Sequence, residues 1–215
     1  MAPEGRKILS ILLIVTSILF FISLFIKIAM LPIIAGIFSI LLIFSLNFFR
    51  DPDRKIPEGD NIIISPADGK VTAVTTINDP DVGENSTLIS IFLNVFNVHA
   101  NRVPINGKVI SVTHKDGQFV SAFQHNAADV NEQTTTIFDT TLGTIKVKQI
   151  AGMIARRILC YAKKGENMNK GDRLGFIMFG SRTDVIFPPS VKVLVKVGQR
   201  VVGTETIIGN FINEK

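Results

Sequence analysis

The chain has a single cysteine, Cys160, only three histidines, and no basic run interleaved with aromatics. One thiol cannot form an intrachain disulfide, which excludes a cross-linked secreted scaffold and leaves Cys160 as a small buried hydrophobe. His99, His114 and His125 show no spacing suited to metal ligands, so no metal is expected. The missing basic stripe argues against nucleic acid as a partner. Charge is absent over two long stretches, residues 8 to 26 and residues 28 to 49.

Each uncharged run suits the roughly 20 residues that a helix needs to cross a bilayer, and together they are too long for one crossing. The pattern predicts a transmembrane helical hairpin, with helices over 8–26 and 28–49, broken near Lys27 and Pro32. No small-residue cleavage site follows the first run, which argues against a signal peptide. Arg6 and Lys7 precede the hairpin and Arg50, Arg54 and Lys55 follow it, so both ends are expected to face the cytoplasm. Residues 50–215 then form a domain on the cytoplasmic face of a cell membrane. Of the net charge of +5, Arg6, Lys7 and Lys27 against Glu4 leave +2 before residue 50 and +3 for the domain, which suits a neighbouring anionic lipid surface.

From Arg50 onward, short β-branched segments are punctuated by Gly, Pro and Asn. "NIIISP", "KVTAVTTI", "TLISIFLNVFNV", "GKVISVTH", "TTTIFDTTLGTIKVKQIAG", "RRILCYAKKG", "RLGFIMFG", "TDVIFP", "KVLVKVGQRVV" and "ETIIGNF" all read as strands. Residues 117–133 lack that pattern and are expected to form a long loop or short helix, whose Phe119, Val120 and Phe123 either dip into the membrane interface or pack on the domain. "KKGENMNKGDRLGFI" and "VKVGQRVVGTETIIG" echo one another in their glycines and apolar positions. The expected fold class is mostly β: a barrel-sandwich-hybrid-like, β-rich α+β catalytic domain behind the helical hairpin.

Polar residues that strands would not choose for packing mark a candidate site. Asp68 lies in the tight turn of "SPADGK", as an ordinary turn carboxylate or a chemical one. In "FLNVFNVHANRVP", strand geometry puts His99 and Asn101 on one face and Arg102 on the other. Arg156 and Arg157 are adjacent, so one should point away from open solvent, toward a carboxylate or phosphate. "GFIMFGSRTDVIFP" interrupts an apolar run with Gly180 and Ser181, followed at once by Arg182. A Gly-Ser pair alone reads as a turn or bulge.

"RDPDR" at 50–54, "SPADGKV" at 65–71, "FLNVFNVHANRVP" at 92–104, "GMIARRI" at 152–158 and "FGSRTD" at 179–184 together resemble the phosphatidylserine decarboxylase family, in its order and approximate spacing. The match is to the short prokaryotic branch, which is also similar to archaetidylserine decarboxylases. The resemblance implies a proenzyme that cleaves itself between Gly180 and Ser181, leaving a large chain 1–180 and a small chain 181–215 that stay together as a heterodimer. Ser181 would become a pyruvoyl group, the covalent cofactor, which forms a Schiff base with the amine of a serine phospholipid and decarboxylates it to the ethanolamine lipid. His99 and Asp68 match the family's acid–base residues, and Arg156, Arg157 and Arg182 are eligible to bind the lipid phosphate. Many relatives carry two histidines in the segment matching "NVHANRVP", whereas here Arg102 stands where the second would fall.

The substrate is then phosphatidylserine or archaetidylserine, and the sequence leaves homo-oligomerisation open. The competing expectation is a membrane-tethered lipoyl- or biotinyl-like carrier without catalysis. Such a carrier needs a modifiable lysine at a hairpin tip, and "GSRTD" offers none at the comparable position.

Overall fold

The computed structural model describes residues 1–26, 28–118, 130–152, 157–178 and 180–211. Phe119, Val120, Phe123, His125 and Arg156 lie outside the described residues. The chain divides into two compact units, Met1–Asp53 and Arg54–Lys215.

The first unit is a pair of apolar helices, α1 (Arg6–Phe25) and α2 (Met30–Phe48). Pro32 falls in the first turn of α2, where a missing N–H removes no helical hydrogen bond. Thr16 Oγ1 donates to Leu12 O at 2.6 Å and Ser39 Oγ to Ala35 O at 2.8 Å, so these hydroxyls are satisfied within their own helix, as an apolar surrounding demands. Phe20, Leu24, Ile40 and Ile43 are exposed. Both helices are long and apolar enough to cross a membrane by length and composition.

The second unit is mostly β, as the fold-class expectation has it. Its strands are β1 (Ile62–Ile64), β2 (Gly69–Asp79), β3 (Gly83–Leu93), β4 (Ala100–Arg102), β5 (Gly107–Lys115), β6 (Gln133–Thr140), β7 (Gly143–Ile150), β8 (Ile158–Cys160), β9 (Asn167–Met168), β10 (Arg173–Ile177), β11 (Ser181–Phe187), β12 (Val191–Val193), β13 (Arg200–Val201) and β14 (Ile207–Phe211). An eight-stranded antiparallel sheet runs in the order β13-β2-β3-β11-β7-β6-β5-β9, and two three-stranded sheets run β1-β14-β12 and β4-β10-β8. Alternating apolar residues fill two core clusters, one around Val71, Ile91 and Phe187, the other around Val109, Phe138 and Leu174.

These two clusters belong to two halves of an internal duplication. β1 leads through "PADGKV" at 66–71 into β2, and β4 leads through "PINGKV" at 104–109 into β5. The halves clasp reciprocally: Ile64 N donates to Pro104 O at 3.0 Å and Arg102 N to Pro66 O at 2.8 Å. The sequence echo supplies each half with a short edge strand of the large sheet, β9 or β13, and the middle strand of a small sheet, β10 or β14. Between each such pair lies a left-handed residue, Gly171 (φ +88°) in one half and Thr204 (φ +74°) in the other, whose N–H bonds Val103 O and Ser65 O respectively. The duplication gives the turn and edge-strand residues of one half a control in the other.

One strand differs from expectation. The apolar pattern carried the strand of "TLISIFLNVFNV" through Val98, yet β3 stops at Leu93. Asn94 Oδ1 accepts from Phe96 N and Asn97 Oδ1 from Asn94 N, both at 2.9 Å, and this side-chain turn outcompetes the ladder.

Candidate active site

β11 begins at Ser181, paired with Leu93, the last residue of β3. Gly180 before it has φ +59°, a left-handed conformation that costs other residues about 1–2 kcal/mol. A Cβ on Gly180 would meet nothing within 4 Å among the described residues, so the glycine supplies backbone conformation rather than space. Ser181 is fully buried and its hydroxyl has no hydrogen-bond partner among the described residues. A buried unpaired hydroxyl costs of order 1–3 kcal/mol, so its persistence asks for a purpose.

The turn 94–97 delivers His99, also fully buried, to the start of β4. Its Nδ1 lies 2.9 Å from Asn97 O. A carbonyl can only accept, so Nδ1 carries a proton, and in the neutral ring Nε2 is left with the lone pair of a base.

Asp68 is fixed by Arg54 in a two-point contact, with Nη2 to Oδ2 at 3.0 Å, and by Gly203 N to Oδ1 at 2.8 Å. Its Oδ2 also accepts from Val98 N at 3.4 Å, so it reaches His99 through the adjoining peptide. The duplication isolates what is special here. In the other half Asn106 stands in place of Asp68 and accepts from Lys170 N at 2.7 Å, as Asp68 does from Gly203 N. An uncharged amide therefore suffices for the turn, and the carboxylate with its arginine is an addition.

A second layer of polar side chains joins Asn101, which the sequence places on the face of His99, to Gln149 and Thr183, which the sequence reading missed. Asn101 Oδ1 accepts from Gln149 Nε2 at 3.0 Å and from Thr183 Oγ1 at 3.3 Å. Thr183 is two residues beyond Ser181 on β11 and pairs directly with Gln149 on β7. Period-2 alternation puts Ser181 and Thr183 on one face. Asn101 Nδ2 and Gln149 Oε1 are buried without a partner among the described residues. Gly175 permits the approach: a Cβ there would lie 2.7 Å from Gln149 Nε2. Gln149 and Thr183 share their strand faces with the buried Val147 and Val185, so alternation turns them inward, and β4 of the covering sheet supplies Asn101 as their partner.

The arginines separate. Arg182 is buried and its fork grips Asp184, with Nε to Oδ1 and Nη2 to Oδ2 both at 2.6 Å. Arg157 is exposed and its carbonyl accepts from Met178 N at 3.3 Å. Arg102 donates to Gly171 O at 3.4 Å.

Residues 41–209 match the family model described as phosphatidylserine decarboxylase. The chain is 44% identical over 168 residues to the phosphatidylserine decarboxylase proenzyme of Chlorobaculum parvum, covering 78% of each chain. It is 42% identical over 178 residues to the proenzyme of that name from Pelobacter propionicus, covering 82% of this chain and 81% of the relative. Against the Paraburkholderia phymatum proenzyme it is 44% identical over 179 residues, covering 83% and 84%. With the match spanning the duplicated β unit and the Gly180–Ser181 junction alike, the chain belongs to the phosphatidylserine decarboxylase family.

Proposed function

We propose that this chain is a phosphatidylserine decarboxylase proenzyme that cleaves itself between Gly180 and Ser181. The observation that carries the reading is a buried serine hydroxyl without a partner, placed directly after a left-handed glycine, in a chain of this family. Ser181 Oγ attacks the Gly180 carbonyl carbon, the C–N bond breaks, and the nitrogen takes up a proton, leaving an ester. Removal of the Ser181 α-proton expels Gly180 as a carboxylate, and the dehydroalanine left behind takes up water and loses ammonia. Large chain 1–180 and small chain 181–215 remain associated, because β11 is hydrogen-bonded to β3 and β7 on either side.

His99 is the proposed proton carrier, through Nε2, first for Ser181 and then for the substrate α-carbon. Asp68 acts through the Val98 peptide and Arg54, fixing the position of the segment that bears His99. The pyruvoyl group at residue 181 would supply a carbonyl that withdraws the electrons left when carbon dioxide departs. Residues 50–215 then work on the cytoplasmic face of a cell membrane, with the apolar helices as the anchor. The carrier reading has no observation behind it. Release of labelled carbon dioxide from carboxyl-labelled phosphatidylserine tests the proposal: processed protein that releases none in its membrane would sink it.

A further inference from the structure

A cleft of about 460 Å³ opens where β2 begins and β3 ends, lined by Asp68, Lys70, Asn94, Phe96, Asn97 and Arg200 among others. Lys70 and Arg200 are directly opposed across β2 and β13, and both are exposed. Like charges in that position destabilise a sheet. Neither has an ion pair or side-chain hydrogen bond among the described residues. The duplication again provides the control: the matching pair in the other half is Lys108 opposite Asn167, so the fold does not require a second cation there. The cleft's one carboxylate, Asp68, is already held by Arg54.

We infer that Lys70 and Arg200 form a subsite for the phosphodiester of a lipid headgroup. Two adjacent cations that no described side chain neutralises suit an anion with two oxygens to share. Phe96, 65% exposed, and Val202 add apolar surface on the rim, where the glycerol end of a lipid would lie. Lys70 pairs with Phe92, and Phe92 with Arg182, which places the Lys70 backbone two strand spacings, about 10 Å, and the Arg200 backbone three, about 14 Å, from the strand that starts at Ser181. By alternation Lys70 leaves the sheet on the face opposite Ser181. The headgroup therefore runs over the turn Asn94–Asn97, whose Asn97 carbonyl holds His99. In a serine phospholipid only four bonds separate the amine from the phosphorus, so the long Lys70 and Arg200 side chains must extend toward the turn to meet it; the carboxylate stays at the reacting carbon, and the outer anion is the phosphate. This assignment rests on the decarboxylase reading for the substrate's identity alone.

The test titrates the full chain, in neutral detergent and carrying Ser181→Ala, with glycerophosphoserine and with glycerophosphoglycerol. Saturable binding is expected to weaken about tenfold in Lys70→Gln and in Arg200→Gln, the worth of a charge-assisted hydrogen bond. It should be kept in Lys70→Arg and in the distant surface control Lys192→Gln. A loss confined to the serine probe identifies the substrate's own headgroup, and an equal loss for both identifies a general site for anionic lipid. Binding that is absent, or unchanged in both neutral variants, overturns the inference. A chain that binds either probe through these residues yet releases no carbon dioxide when processed keeps the subsite and fails the decarboxylase reading instead.

Discussion

Two buried polar clusters sit at opposite ends of the large sheet, and they are built on opposite terms. At the hairpin end, Lys146 of β7 is buried between Asp79 and Asp81 and bonds both oxygens of Asp79. Asp79 also accepts from the N–H groups of Asp81 and Val82 at 3.0 and 3.1 Å. Every charge there has its partner. At the Ser181 end, beside the paired Arg182 and Asp184, lies a cluster of uncharged side chains in which Ser181 Oγ, Asn101 Nδ2 and Gln149 Oε1 are buried with no partner among the described residues. A satisfied charged cluster holds a fold together, whereas an unsatisfied neutral one costs stability and keeps polar groups ready for another partner.

Substitutions at the two ends should therefore separate rate from stability. The largest effect is expected from His99→Ala: turnover by the processed chain falls about a thousandfold, within the range of a lost acid–base group and more than the destabilisation from truncating a buried side chain removes from the folded population. Full turnover by a processed His99→Ala protein would remove His99 from the mechanism. Next, Lys146→Met leaves two carboxylates uncompensated and should destabilise the domain by about 3 kcal/mol, read as a lower urea midpoint. The fraction still folded should cleave itself at the unaltered rate, and a matching loss of rate would erase the contrast between the two ends.

Gly180→Ala has a smaller effect, because space for the methyl exists and only the left-handed backbone resists, at about 1–2 kcal/mol. Self-cleavage followed by gel should slow roughly tenfold with the fold intact. The smallest effect is on acid stability. Burial pushes the Asp79 carboxyl up, but Lys146 and the two backbone N–H groups more than offset it, and the group is held below its ordinary 3.8. Its contribution is complete above that value and is lost as pH falls through the lower folded pKa. The melting temperature should therefore fall more steeply below about pH 4 in the native chain than in Asp79→Asn.

The strands were legible in the sequence because β-branched alternation and Gly/Pro punctuation act locally. The end of β3 was not, since the apolar pattern runs on while Asn94 and Asn97 stop the ladder with their side chains. The Gly180–Ser181 junction stood out as a polar break in an apolar run. Asn101, Gln149 and Thr183 come from three strands in two sheets, and no spacing along the chain announces them. The duplication was visible only as a faint echo, because its identities survive chiefly at "PADGKV" and "PINGKV", where turn geometry demands them. What the two halves do not share, Asp68 against Asn106 and Arg200 against Asn167, became readable only once they were superposed by their hydrogen bonds.

The central claim is that the unpartnered hydroxyl at the head of β11 is a nucleophile aimed at its own backbone, and intact mass under denaturing conditions tests it most directly. The native chain should separate into a 180-residue chain and a 35-residue chain with a blocked amino terminus, while Ser181→Ala stays whole at 23.6 kDa. A folded native chain that also stays whole at 23.6 kDa would contradict the account.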